Sequence, residues 1–162
     1  MDDNVQRIAT VLRDHRLHLA VAESLTSGAL ASSLGAGPEA AEWFRGGIIA
    51  YDESVKFNLL GVTPGPLVTE RCAREMAEGV ARLLEADVAI GVTGVGGPEP
   101  SEGNPAGTVI LAVTAGGAGI CRRFRFPGDP EDVMTATVEQ ALAMLAAHLS
   151  IHRFPTREDP PG

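Results

Sequence analysis

Apolar residues recur at helical spacing over residues 3–15, where Val5, Ile8, Leu12 and His15 share one face, so the chain opens on an amphipathic helix. Leu17, Leu19, Val21 and two alanines then form a run short enough to be a buried strand. That strand breaks at Glu23-Ser24, and a small-residue helix follows over 29–34, with Ser24, Thr26 and Ser27 as hydroxyl starters. After a short acidic helix at PEAAEWF, residues 45–51 predict a second strand and 52–60 a helix carrying Val55 and Leu59, stopped by Gly61. Residues 62–68 hold two prolines and a glycine and read as a loop. A longer helix over 69–84 presents Cys72, Met76, Val80 and Leu83 as its apolar stripe. The flat apolar run at 87–93 predicts a strand covered on both faces. Residues 94–107 carry five glycines and three prolines, too many breakers for regular structure. Strands at 108–113 and 120–126, joined through 115–119, predict an antiparallel hairpin and therefore a mixed sheet. Asp129-Pro-Glu-Asp starts a last helix, with Val133, Thr137, Ala141, Met144 and Leu145 on its buried face to about 149.

The 162 residues suit one α/β domain over 1–150, and the charged, Pro-rich stretch 151–162 is expected to be disordered. A net charge of −8 removes the basic footprint that nucleic acid or an anionic membrane surface would need, so neither is expected as a partner. No apolar run approaches the roughly 20 residues of a membrane span, and MDDNVQRIAT is acidic where a signal peptide is basic, so a cytoplasmic protein is expected. Cys72 and Cys121 lack Cys-x-x-Cys spacing and suggest neither a disulfide framework nor a zinc site. His148 and His152 are an i, i+4 pair without the glutamate of HExxH. Surface histidines, no metal and no cofactor are expected.

Two residues carry candidate chemistry. A serine at a strand-to-helix turn stands at the carboxyl edge of a sheet beside outward-facing amides, where an acyl-transfer nucleophile can work; a plain helix cap is the competing role of Ser24. A nucleophilic serine needs a base, and no histidine falls at a predicted strand end. Lys56 is the one lysine among thirteen basic residues, and only lysine can give up its proton at a working pH. Its pKa would have to fall from ~10.4 to ~7–8, through desolvation and a neighbouring cation such as Arg45; a solvated helix position is the competing role. Tyr51 and Lys56 do not fit Tyr-x-x-x-Lys, because four residues intervene. Glu23 can orient an ammonium or amide, or simply favour a helix start. The glycine-rich stretch satisfies neither GxGxxG nor the P-loop pattern, but its free amides with Thr93 and Thr108 can wall a pocket as readily as form a surface loop.

Five segments in register, AESLTSG at 22–28, FRGGIIAYDESVK at 44–56, VTGVGGP at 92–98, PAGTV at 105–109 and RFRFPGD at 123–129, resemble the CinA C-terminal domain family, the nicotinamide-nucleotide amidases. The resemblance implies a three-layer α/β/α sandwich and deamidation of nicotinamide mononucleotide to nicotinate mononucleotide and ammonia. It implies Ser24 as nucleophile, Lys56 as base and Tyr51 as a third catalytic residue. The chain departs from the family pattern at Leu25 and Ser27, at 66–69 after a shortened loop, and at Gly96, and it resembles the stand-alone form lacking a molybdopterin-like domain.

On this reading the substrate is a small nucleotide contacted by Glu23, Thr26, Gly28, Arg45, Thr93, Gly94 and Thr108, and the protein is expected to be a homo-oligomer. Two competing functions remain: a non-catalytic domain that binds a nucleotide or partner, and an amidase for another carboxamide.

Overall fold

The computed structural model describes residues 2–154. The elements run α1 (Asp3–Asp14), β1 (Leu19–Glu23), α2 (Ala29–Gly35), α3 (Ala40–Trp43), β2 (Phe44–Ile49), α4 (Glu53–Asn58), α5 (Glu70–Leu83), β3 (Val88–Gly94), β4 (Thr108–Ala115), β5 (Ala118–Arg125) and α6 (Pro130–Ile151). The five strands form one mixed sheet in the order β2-β1-β3-β4-β5, with β1 parallel to both β2 and β3 and the β3-β4-β5 pairs antiparallel.

Alternation along the strands divides the core into two layers. Leu19, Val21, Ile90, Val92 and Leu111 face α1, α2 and α6, while Ala20, Ala22, Ala89, Ile110 and Ala112 face α5. The second face is built from smaller residues, and α5 lies close against it. A Cβ placed on Gly91 of β3 would stand 2.2 Å from the Ala73 carbonyl oxygen of α5. The architecture is therefore the α/β/α sandwich.

Capping follows local sequence. The Asp52 carboxylate accepts from Ser54 N–H at 2.8 Å and starts α4, and Thr69 Oγ1 accepts from Cys72 N–H at 3.0 Å and starts α5. Asp129 and Asp132 form a reciprocal capping box on α6, with proline at the first position. The hairpin is tighter than its sequence suggests. Gly116 and Gly117, at φ 58° and 80°, turn the chain in two residues, so β4 and β5 extend beyond the expected strands.

One expectation is corrected at the carboxyl end. His148 is buried at 7% exposure, and both its ring nitrogens lack a hydrogen-bond partner among the described residues. It continues the inward stripe of Ala141 and Leu145 at helical spacing, which its polar side chain conceals in the sequence. The stretch expected to be disordered is described to Phe154: Ile151 closes α6, and Phe154 packs against His152 and His15 at ring-centroid distances of 4.5 and 5.5 Å. Residues 155–162 of that stretch lie outside the described residues. Among the described residues no helix is long and apolar enough to cross a membrane.

Candidate active site

Because β1, β2 and β3 run parallel, their carboxyl ends reach the same edge of the sheet, the position where open α/β sheets hold ligands. β1 ends at Glu23. The next turn differs from the expected hydroxyl cap: Ser27 and Gly28 are left-handed, at φ 49° and 100°, and Gly28 occupies the cap position of α2 without a side-chain bond. The cap comes from Glu23. Its carboxylate, buried at 1% exposure, accepts from Leu30 N–H at 2.9 Å and Ala31 N–H at 3.0 Å. Two left-handed residues fold the helix start back over the strand end, and the preceding carboxylate is then within reach of the free N–H groups. Ser24 is thereby released from a capping role.

The Ser24 hydroxyl meets Lys56. Lys56 Nζ donates to Ser24 Oγ at 3.1 Å, to the Ala50 carbonyl at 2.6 Å and to the Tyr51 carbonyl at 3.3 Å, which engages all three ammonium donors. The residue is 3% exposed. Burial pushes its pKa below the ordinary lysine value, against the opposing charges of Cys72, Asp52, Glu53 and Glu102. The cation expected to assist does not reach it. Arg45 is exposed at the bulge that opens β2, beside Leu19 and Ala20, about 13 Å of strand away from the carboxyl edge. Desolvation is the cause of the shift.

A cavity of about 320 Å³ opens over this pair, walled by Ser24, Leu25 and Ser27, by Tyr51 and Lys56, by Leu67 and Val68, by Thr93, Gly94, Gly96 and Gly97, and by Ser101, Glu102 and Pro130. Of the expected residues, Ser24, Tyr51, Lys56, Thr93 and Gly94 line it together. Tyr51 presents a side chain in a residue 71% exposed, and it is its carbonyl that touches Lys56. Thr93 Oγ1 donates to the Leu67 carbonyl at 2.9 Å, which joins β3 to the 62–68 loop. Gly94 has no room for a side chain, since a Cβ would meet the Thr108 carbonyl oxygen at 2.5 Å and Leu25 Cδ2 at 3.1 Å.

Glu23, Thr26, Gly28, Arg45 and Thr108, expected as substrate contacts, do not line the cavity. Glu23 and Gly28 shape the turn beneath it. Thr26 is fully buried in that turn, with its hydroxyl unpartnered among the described residues. Thr108 Oγ1 donates to the Pro105 carbonyl at 2.8 Å and closes the long loop. Sequence reasoning missed Glu102. Its carboxylate accepts from Leu67 N–H at 2.8 Å and Val68 N–H at 2.7 Å, tying the glycine-rich loop to the 62–68 loop across the cavity. The left-handed φ of 52° at Glu102 aims it there, and nothing in the composition of the loop separates it from Glu99.

The arrangement offers a hydroxyl, a desolvated amine and a walled space above both, the components of acyl transfer by a Ser-Lys pair.

Residues 2–149 match the model of the CinA C-terminal domain. The chain is 40% identical over 151 residues to a CinA-like protein of Frankia casuarinae, covering 90% of this chain and 33% of that protein. It is 36% identical to protein YdeJ of Escherichia coli K12, covering 88% and 89% of the two. The chain thus spans about a third of the length of the CinA-like relatives and nearly all of YdeJ. Among solved structures, the competence damage-inducible protein A of Klebsiella pneumoniae superposes with a TM-score of 0.89 at 35% identity, covering 93% of this chain and 98% of that one. A CinA superfamily protein of Enterobacter cloacae gives a TM-score of 0.88 at 36% identity, covering 91% and 90%.

Proposed function

The chain belongs to the CinA C-terminal domain family, and from that premise we propose that it is an amidohydrolase that converts nicotinamide mononucleotide to nicotinate mononucleotide and ammonia. The observation that carries the reading is the 3.1 Å contact between Ser24 Oγ and the Nζ of a buried lysine. Burial lowers the Lys56 pKa, in the direction of the neutral form that a base requires.

In this mechanism Ser24 Oγ adds to the carboxamide carbon while its proton passes to neutral Lys56. The resulting oxyanion is held by N–H groups of the 24–28 turn. Collapse breaks the C–N bond, the Lys56 proton goes to the departing nitrogen, and ammonia leaves an acyl ester on Ser24. Water then adds to the ester carbon, giving its proton to Lys56. The C–O bond to Ser24 breaks, the proton returns to Oγ, and the free acid departs, losing its remaining proton to ammonia or solvent to become the carboxylate. Ala50 and Tyr51 carbonyls hold Lys56 in place throughout.

A second reading, hydrolysis of another carboxamide, is favoured by Leu25. Its side chain lies over the backbone at Gly94 and Gly96, narrowing the cavity beside the nucleophile. Ammonia release from nicotinamide mononucleotide, nicotinamide riboside, nicotinamide and a set of unrelated primary carboxamides, each against Ser24→Ala, separates the two. Turnover of the mononucleotide above the others supports the first reading. Nucleotide binding by calorimetry with no product by mass spectrometry would instead assign a binding domain without turnover.

A further inference from the structure

The cavity is nearly free of positive charge. Among the described residues Lys56 is the one cationic side chain lining it, and its three donors are engaged by Ser24, Ala50 and Tyr51. A phosphorylated substrate carries a dianion at the end opposite its carboxamide, with the ribose between. The cation for that end has to come from beyond the lining.

Sheet register supplies one. Thr93 on β3 is paired with Ile110 on β4, and Ile110 with Arg123 on β5, so the three stand in one row on the α5 face of the sheet. Two strand spacings, about 10 Å, separate the backbone of Thr93 at the cavity wall from that of Arg123. The long arginine side chain donates from Nη2 to Asn104 Oδ1. Asn104 closes a tight turn with Ser101, with backbone bonds of 3.0 and 2.8 Å in the two directions, and the first two residues of that turn, Ser101 and Glu102, wall the cavity. The guanidinium is therefore held on the turn that supplies part of the cavity wall, with further N–H donors on its planar fork.

Glu102, Arg71 and Arg45 do not compete for this place. The Glu102 carboxylate is bonded to the Leu67 and Val68 amides. Arg71 donates to the Thr63 carbonyl, and Arg45 is at the opposite edge of the sheet.

We infer that Arg123 is the phosphate-recognition residue of this site and sets its preference for a phosphorylated over an unphosphorylated nicotinamide riboside. The inference rests on the amidohydrolase reading and is tested so that the two fail separately. The readout is the ratio of kcat/KM for the mononucleotide to kcat/KM for the riboside. Losing a charge-assisted bond to phosphate in Arg123→Gln lowers that ratio about 10- to 100-fold. Arg123→Ala is the second variant, at an exposed edge-strand position. An unchanged ratio in both overturns the inference. So does an equal fall in Asn104→Ala, which removes the loop contact and leaves the guanidinium, because the arginine would then act only by holding the loop. If the wild-type protein releases ammonia from no nicotinamide compound, the amidohydrolase reading fails, and calorimetric titration with ribose 5-phosphate decides the inference. Binding weakened at least about 10-fold in Arg123→Gln upholds it; absent or equal binding overturns it.

Discussion

Lys56 Nζ stands 3.1 Å from Ser24 Oγ although 32 residues separate them, and its shortest bond, 2.6 Å, goes to the Ala50 carbonyl just past the end of β2. The strand end therefore fixes the amine and the amine meets the hydroxyl. Loss of either partner removes the nucleophile or its base. Ser24→Ala and Lys56→Ala are each expected to lower ammonia release at least about 10³-fold. Lys56→Arg retains the charge but not the ability to release a proton, and is expected to be equally inactive. Circular dichroism of each variant distinguishes lost chemistry from lost fold, and a folded Ser24→Ala protein of full activity would sink the mechanism.

The pH profile follows from burial. Desolvation lowers the Lys56 pKa below its ordinary 10.5, so the neutral base accumulates as pH rises through the folded-state value. The kcat profile should climb with pH and level off below 10.5. The stability term has a matching sign: between the folded and unfolded values the unfolded chain binds more protons, so this contribution rises with pH across that window. A flat kcat profile from pH 6 to 10 would remove Lys56 as the base.

Much of this was legible from residues alone, and the remainder was hidden for physical reasons. The helix starts at 52, 69 and 129 are local, and they appear where the pattern puts them. Lys56 stood out because arginine cannot replace it as a base. The turn after β1 was misread because its hydroxyls resemble a cap, while the left-handed Ser27 and Gly28 hand that task to Glu23. Arg45 was assigned to a site on the opposite edge because the direction of β2 relative to β1 is a tertiary fact. Glu102 was invisible because its aim depends on one backbone angle in a loop without periodicity.

Glu23 is a positioning residue, and its removal should act on both stability and rate. Its buried carboxylate satisfies two N–H groups of α2. Glu23→Ala leaves them unpartnered, a cost of about 1–3 kcal/mol, and loosens the turn that carries Ser24. Thermal denaturation should show a lowered Tm, and kcat should fall more than KM rises. Glu23→Gln keeps one acceptor and sets an N–H₂ against the other donor, so it should lie between the two. A Tm equal to wild type in Glu23→Ala would remove the capping role.

Glu102 joins the glycine-rich loop to the 62–68 loop across the cavity mouth. Without its carboxylate the two loops lose that tie, while Ser24 and Lys56 keep their partners. Glu102→Ala is therefore expected to raise KM several-fold with little change in kcat, and to speed proteolytic cleavage within 95–107. Limited proteolysis with mapping of the first cut tests it. Unchanged cleavage together with unchanged KM would show that the tie does not hold the loop.

His148 carries a prediction unconnected with the site. Its ring is buried in the stripe formed by Ala141 and Leu145, with neither nitrogen partnered among the described residues, and it stacks on His152 at 5.6 Å. Burial first, and the neighbouring His152 second, push its pKa below the ordinary 6.5. As pH falls below 6.5 the unfolded chain takes up a proton that the folded one resists, so stability declines until the folded-state value is reached. Leucine fits the apolar stripe and removes both the unpaired nitrogens and the titration. His148→Leu should raise stability by about 1 kcal/mol at neutral pH and by more at pH 5. Urea denaturation at both pH values measures the difference, and a variant less stable than wild type at pH 5 would show that the histidine is held by a partner after all.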